Sequence, residues 1–336
     1  MNSKTNSYFQ RLKQDGTIAR FSAIIRHKEE VSVAFDDMSE SDSFYGGSFA
    51  KLFSGLLCAK WLSEGKISLL EPVGKYIGSF SQGELRTILI IDLLTHTAGL
   101  TPDPGALGEA VPRPEKKIRS QKIDFDLAAG EPLLKPRMQF SYSSLGFIVF
   151  SRIVEKIASE PIANVLKNEI FEPLGLVSTG FYQSEKDKGK LNFIKDRELI
   201  SLNEHLKENT LSYTHGSGGL YTTISDMQRV ADYLLGKLPS TSLNQNIRAL
   251  FMRPYIKGLK GNDWGVVCNS MDFGLGVYYG SRETTGENTI CQECGARGLF
   301  VVDFDREISL VGVFPIITFD DGKYMAKIIN STWLNL

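Results

Sequence analysis

The sequence predicts an α/β protein: an antiparallel sheet built from N- and C-terminal segments and flanked by helices, with a mostly helical subdomain carried between them. Three observations predict it. Short alternating or apolar runs that read as strands cluster at residues 19–35 and again at 273–314. Helical periodicity dominates the stretch between them. No internal repeat or low-complexity tract offers another plan. Strands from both ends of a chain are most simply satisfied in one sheet. The expected division is therefore an α/β sheet subdomain of residues 1–75 and 215–336 and a mostly helical subdomain of residues 76–214, with a site at their interface.

The length of 336 residues allows a large buried core and suggests about two domains. With 38 Lys and Arg against 39 Asp and Glu the formal charge is -1, so no global field draws the chain to nucleic acid or to an anionic membrane. The first 15 residues hold no apolar segment of the signal-peptide kind, and no later run approaches about 18 uninterrupted apolar residues. The chain as given is thus expected to lack a membrane span and to be cytoplasmic, removal of an export signal being the alternative. Four cysteines (Cys58, Cys268, Cys291 and Cys294) are too few for a disulfide scaffold of this size and favour a reducing compartment.

Residues 19–26 and 31–35 read as strands joined by the polar turn His27-Lys-Glu-Glu30. Next comes Tyr45-Gly-Gly-Ser-Phe-Ala-Lys-Leu-Phe-Ser-Gly-Leu-Leu-Cys-Ala59, apolar or small throughout except for Lys51. A helix that is apolar nearly all round is buried, and an isolated buried ammonium is costly enough to drive its pKa toward neutrality. A neutral lysine is a base. Ser48, three residues earlier, lies on nearly the same helical face. Gly46 and Gly47 let the chain turn sharply, which puts Ser48 on the first turn, where free backbone N–H groups favour developing negative charge. This pattern writes a serine nucleophile with a lysine base into the sequence. The helix is expected to stop near Ser63-Glu-Gly-Lys66, with Gly65 as its C-cap. Ser63 and Lys66 repeat the Ser-x-x-Lys spacing by chance.

Residues 88–100 read as an apolar helix ended by Gly99. Pro102, Pro104, Gly105, Pro112 and Pro114 make residues 101–115 irregular. A second turn-rich approach, 132–140, leads into Ser141-Tyr-Ser-Ser144 and a helix over 145–158, for which Ser143 or Ser144 is the N-cap. The charged stretch 186–207 reads as a surface segment. Gly216-Ser-Gly-Gly-Leu-Tyr-Thr-Thr-Ile-Ser-Asp226 joins a glycine turn to a Ser/Asp cap for a helix over 227–238. Strands are expected at 273–279, 298–303 and 307–314, the last two joined through Phe304-Asp-Arg306, and a helix over 324–334 closes the chain.

Taken together, these residues resemble the serine β-lactamase and penicillin-binding-protein superfamily, in particular its class C β-lactamase, esterase and D-aminopeptidase-like branch. Four landmarks in family order carry the resemblance, which covers about residues 19–314: Gly47-Ser-Phe-Ala-Lys51 as the Ser-x-x-Lys motif, Leu93-Leu-Thr-His-Thr-Ala-Gly-Leu100 as a structural signature, Tyr142-Ser-Ser144 for Tyr-x-Asn, and Gly218-Gly-Leu-Tyr-Thr-Thr-Ile-Ser-Asp226 as a second structural signature. The resemblance implies a β-lactamase/transpeptidase-like fold, with Ser48 as nucleophile, Lys51 as its base and Tyr142 as the acid/base serving the leaving group. A tyrosine with a pKa of about 10 can do this only where positive charge lowers it, and Lys51 is the obvious neighbour. The third family motif, Lys-Thr-Gly or His-x-Gly, aligns best with Glu293-Cys-Gly-Ala296. That register implies an oxyanion hole made by the N–H groups of Ser48 and Ala296, with Ser144, Glu293 and Gly295 facing the substrate.

Two positions depart from the family pattern. Ser144 replaces the usual Asn with a shorter side chain, which is expected to reach Lys51 or a substrate amide less readily. Glu293 replaces a Lys or His, so it should repel anionic substrates and raise the pKa of Tyr142. The implied function is a serine hydrolase that forms an acyl-enzyme on Ser48 from a small ester or amide with a neutral or cationic acyl group, and acts poorly on β-lactams. The alternatives are a binding or regulatory protein on the same fold whose chemistry has decayed, and an acyltransferase that uses the same acyl-enzyme. No metal or organic cofactor is implied.

Several residues carry a plainer reading as well. Ser144 serves as an N-cap, a site residue or both, and Glu293 faces the substrate, a local cation or solvent according to the register. Cys291-Gln-Glu-Cys294 is a weak metal signal without a second ligand pair; a local disulfide is the other alternative, and two thiols outside any disulfide are expected there. His96 and His215 suggest a Ser-His-Asp triad, but His96 lies inside a structural signature and the Gly-x-Ser-x-Gly elbow is missing.

Overall fold

The computed structural model describes residues 3–36, 38–101, 132–181, 192–195, 198–201, 215–238, 242–263, 266–280, 283–295, 297–315 and 323–336. The expected irregular loop beyond Thr101, the flanks of the charged stretch near 186–207 and the proposed oxyanion donor Ala296 lie outside the described residues.

Helix α1 (Ser3–Gln14) precedes the hairpin of β1 (Phe21–His27) and β2 (Glu30–Asp36). From the other end of the chain come β9 (Ile256–Asp263), β10 (Val266–Phe273), β11 (Tyr278–Tyr279), β12 (Thr289–Glu293), β13 (Gly298–Asp303) and β14 (Ile308–Val313). With the two-residue β4 (Phe140–Ser141) they form a sheet in the order β2-β1-β14-β13-β12-β11-β10-β9-β4. The two termini therefore meet where β1 pairs with β14, Ser22 opposite Val313 through His27 opposite Ile308. All neighbours are antiparallel except β4 and β9.

The central strands read as continuous apolar runs because both faces of the sheet are covered. On one face, Phe9 and Leu12 of α1 and Ile328, Ile329 and Trp333 of the closing helix α9 (Lys323–Leu334) pack on Ala23, Ile25, Leu299, Val301 and Leu310. On the other face, Ile24, Phe300, Val302, Val311 and Val313 meet the helical body. Its axis is α2 (Phe49–Ser63), joined by α3 (Ile90–Leu94), α4 (Ser144–Ala158), α5 (Ile162–Leu166), α6 (Glu172–Leu174), α7 (Ile224–Leu234) and α8 (Gln245–Phe251). A smaller sheet, β5-β8-β3-β6-β7, joins β5 (Gly180–Phe181), β8 (Leu220–Thr222) and β3 (Phe44–Tyr45) to the hairpin of β6 (Asn192–Lys195) and β7 (Glu198–Ser201).

Several local expectations change. The apolar stretch 88–100 is helical only through α3, because His96 takes a left-handed conformation (φ 57°) and turns the chain away. The expected strand over 273–279 is broken, with 274–277 bending across α2 between β10 and β11. Part of the charged stretch, read only as a surface segment, pairs as β6 and β7. Helix α7 is capped by Thr223, whose hydroxyl accepts from the Asp226 N–H at 3.1 Å, while Ser225 lies inside the helix. The β9–β10 hairpin and α1 gave no sequence signal, because Lys257, Lys260, Asn262 and Asp263 interrupt the first and polar residues dominate the second.

Candidate active site

Helix α2 begins after Gly47, whose φ of 41° is a conformation glycine adopts without strain. Ser48 occupies the N-cap position, and the Lys51 N–H donates back to the Ser48 carbonyl at 3.0 Å. Along an otherwise apolar helix, Ser48, Lys51, Ser54 and Gly55 follow one face. That stripe receives the chain segments that build the site.

Lys51 is fully buried, at 0% exposure. Its Nζ lies 3.2 Å from Ser48 Oγ, 3.1 Å from Ser144 Oγ and 3.0 Å from the Ser217 carbonyl oxygen. Three acceptors match the three hydrogens of an ammonium. A neutral amine would instead donate to two of them and accept the proton of Ser48. The aromatic rings of Tyr142 and Phe147 stand 5.0 and 5.8 Å from the same nitrogen. Tyr142 is 2% exposed, and its hydroxyl donates to Ser48 Oγ at 3.2 Å. The serine hydroxyl thus sits between an amine and a phenol, the two groups that can take and return its proton.

The surrounding chain holds this arrangement through backbone groups. Ser217 belongs to a glycine turn pinned at Gly216, whose carbonyl accepts from Ser54 Oγ at 2.9 Å and whose N–H donates to Ser151 Oγ at 2.6 Å. A Cβ on Gly216 would come within 2.3 Å of Ser54 Oγ, so glycine alone permits the approach that delivers the Ser217 carbonyl to Lys51. His215 sits beside it, with Nδ1 2.8 Å from Ser217 Oγ. Burial, followed by the charges of Lys51 and Arg152, lowers its pKa to about 3.

His96 packs behind the tyrosine. Its imidazole stacks on the Tyr142 ring with centroids 4.2 Å apart and planes 26° apart, enclosed by Phe140, Phe147 and Phe273. The Ser143 N–H donates to its Nδ1 at 3.0 Å, while Nε2 is buried without a hydrogen-bond partner among the described residues. Burial, then the charge of Lys51, keeps the ring's pKa well below its ordinary value. Neither histidine is in hydrogen-bond contact with Ser48, so no Ser-His-Asp triad forms among the described residues.

At the stretch expected to hold the third motif, Glu293 ends β12 with its side chain exposed, and Gly295 is exposed beyond it. The backbone nitrogen of Gly295 lies 3.4 Å from where a Gly47 Cβ would stand, and the Cys294 thiol donates to the Tyr45 carbonyl at 3.6 Å, so the strand end lies against the chain leading into Ser48. The Tyr278 phenol donates to Asp263 at 3.0 Å. Burial, followed by Asp263, Tyr142 and Glu293, holds its pKa well above the usual value.

Cys291 faces the α1/α9 side of the sheet and Cys294 the α2 side, as three residues of strand spacing dictates. They cannot bridge each other, and none of the four cysteines forms a disulfide. Sequence reasoning missed the Ser217 carbonyl, His96 as the partner of Tyr142, and Gln292, whose amide donates to the Ser48 carbonyl at 3.3 Å. The glycines of 216–219 were the available signal for the first.

Comparison with known proteins places these features in context. The Beta-lactamase family model matches residues 6–314. Among curated proteins, the putative penicillin-binding protein PbpX of Bacillus subtilis is 26% identical over 71% of this chain and 60% of its own length. The teichoic acid D-alanine hydrolase of Staphylococcus aureus is 28% identical over 56% of this chain and 44% of its own. The chain thus spans about half the length of the curated relatives it matches. Among solved structures, EstCE1, a hydrolase with promiscuous acyltransferase activity, superposes with a TM-score of 0.75 at 18% identity, covering 99% of this chain and 98% of its own. A class C β-lactamase in complex with cefoxitin does so with a TM-score of 0.74 at 14% identity, covering 100% and 99%. At these identities the structural likeness is one of fold.

Proposed function

The chain belongs to the Beta-lactamase family, and from that membership and the site geometry we propose that it is a serine hydrolase that forms an acyl-enzyme on Ser48 from a small ester or amide. One observation carries the reading: Lys51 Nζ and Tyr142 OH, from elements far apart in sequence, both lie 3.2 Å from Ser48 Oγ.

Ser48 Oγ attacks the substrate carbonyl as its proton passes to the amine or the phenolate beside it. The tetrahedral oxyanion forms at the N-terminus of α2, where the Ser48 N–H and, by register, the Ala296 N–H donate to it. Tyr142 protonates the leaving oxygen or nitrogen, and water then reverses the path to release the acid. The proton that Ser48 gives up to Lys51 or Tyr142 is balanced by the one Tyr142 delivers to the leaving group, so the site regains its starting charge after each half-reaction.

The substrate follows from charge. Glu293 stands where the superfamily places a cation, which disfavours β-lactams and peptides with a free C-terminal carboxylate and favours neutral or cationic acyl groups. A short-chain or aminoacyl ester fits, and the teichoic acid D-alanine hydrolase among the relatives supports an acyl group of that kind. Acyl transfer to an alcohol or amine is a second reading, favoured by the promiscuous acyltransferase activity of EstCE1. Hydrolysis of a chromogenic short-chain ester, lost on Ser48→Ala and diverted to new ester or amide product by added acceptors, tests both. Absence of turnover in the unsubstituted protein across neutral and aminoacyl esters contradicts the proposal.

A further inference from the structure

Strand β12 reaches the nucleophile through a side chain that the acyl chemistry does not use. Gln292 is 1% exposed, in a strand whose other buried positions are Thr289, Ile290 and Cys291. A buried amide is costly unless it is hydrogen-bonded, and this one is bonded at every hand. Its Nε2 donates to the Ser48 carbonyl at 3.3 Å and to the Gly276 carbonyl at 3.1 Å, and its Oε1 accepts from the Glu293 N–H at 3.2 Å.

Those partners belong to three separate pieces of backbone. Ser48 opens α2. Gly276 lies in the 274–277 segment, which is pressed onto α2 so closely that a Cβ on Gly55 would fall 1.9 Å from the Leu275 carbonyl oxygen, and one on Gly276 would fall 2.2 Å from that of Lys51. Glu293 ends β12 and leads to Gly295, whose backbone nitrogen lies 3.4 Å from where a Gly47 Cβ would stand. One amide therefore ties the nucleophile's own peptide to the strand that carries the third motif.

We propose that Gln292 is a positioning residue for acyl transfer: it fixes the first turn of α2 against the end of β12, so that the Ser48 N–H and the backbone beyond Glu293 keep the spacing an acyl oxyanion requires. The inference rests on the proposed acyl-enzyme. Oxyanion donors act at about 2.7–3.1 Å from the charge they stabilise, and a displacement of about 1 Å costs on the order of 100-fold in rate. Two donors on different elements keep such a tolerance only if those elements are locked together. The Ser48 carbonyl also accepts from Lys51 N–H at 3.0 Å, so removing the amide does not leave it unpaired. The Gly276 carbonyl and the Glu293 N–H do lose that partner, so activity is compared per folded molecule.

The test compares Gln292→Met, which fills the same space without donors, and Gln292→Glu, which donates only when protonated, with the unsubstituted chain and Ser48→Ala. The readouts are kcat and KM on a short-chain ester, the rate of Ser48 labelling by a fluorophosphonate, and Tm. The expected result for Gln292→Met is a kcat per folded molecule lowered about 10- to 100-fold with KM within about twofold and labelling slowed in step, beside a Tm lowered by the bonds lost at Gly276 and Glu293. The activity of Gln292→Glu relative to the unsubstituted chain should rise as pH falls from about 8 to about 6. Activity per folded molecule unchanged in both variants, with Ser48→Ala inactive, overturns the positioning role and leaves the hydrolase reading intact. A purely lowered Tm overturns it in the same way. Absence of Ser48-dependent turnover and labelling in the unsubstituted chain overturns both.

Discussion

The Ser144 hydroxyl lies 3.1 Å from the Lys51 amine. The serine that replaces the superfamily's asparagine thus reaches the lysine after all, because Ser144 is the first residue of α4, a helix that packs against α2. Ser143, the residue before it, turns its hydroxyl to the Thr101 carbonyl at 2.6 Å and makes no side-chain cap.

Ser144→Ala should therefore lower kcat/KM about tenfold, the effect of one hydrogen bond to a charged or polarised group worth about 1.5 kcal/mol. Ser144→Asn should stay within a few-fold of the unsubstituted chain. Steady-state hydrolysis of one ester by all three proteins checks this. If Ser144→Ala matches the unsubstituted chain, the hydroxyl serves Lys51 only passively.

Tyr142→Phe keeps the ring stacked on His96 and removes only the hydroxyl beside Ser48. Its kcat should fall by about 10² to 10⁴, the range for loss of a positioned proton-transfer group, with little change in Tm. Burst kinetics would locate the loss in acylation, deacylation or both. An unchanged kcat would exclude the phenol from proton transfer.

Acid should destabilise the fold through its buried imidazoles. Unfolded, a histidine titrates near 6.5, whereas His96 stays neutral to well below that value and His215 to about 3. Between about pH 6.5 and the folded-state values, the unfolded chain binds protons that the folded chain does not. Stability present in full above about pH 6.5 is thus lost as pH falls, by up to about 1.4 kcal/mol per pH unit for His96. His96→Asn, a residue that tolerates the left-handed backbone there, should show a shallower loss in urea midpoint between pH 7.5 and 5.5. Equal slopes in the two proteins would contradict the argument.

Charge at residue 293 should steer substrate choice. Glu293→Lys exchanges repulsion for attraction toward a substrate carboxylate, so the ratio of kcat/KM for a carboxylate-bearing ester to that for its neutral analogue should rise about tenfold, more at low salt. Competition assays with the matched pair of esters measure it. An unaltered ratio would place Glu293 outside substrate recognition.

The parts of this site legible in the sequence are those written as contrast. Lys51 stood out as one charge in an apolar helix, Ser48 by its spacing, and Tyr142 by its order along the chain. The terminal strands were legible because burial on both faces makes β1, β13 and β14 continuous apolar runs. What stayed hidden depends on tertiary placement. His96 looks like part of a helix until its φ of 57° shows it folded back on Tyr142. Nothing in Gln292 or in the Ser217 carbonyl marks a partner more than 160 residues away. The hairpin of β9 and β10 carries too many polar residues to alternate cleanly, yet it completes the sheet beside β4 and so supports the strand leading into Tyr142.

The central claim is that Ser48 is a nucleophile activated by Lys51 and Tyr142. The direct measurement is covalent labelling by a fluorophosphonate, located by mass spectrometry of the peptide containing residue 48. The account predicts one adduct per chain on Ser48, absent in Ser48→Ala and slowed at least about 100-fold in Lys51→Ala. An adduct on another residue, or no adduct on a folded chain, would contradict it.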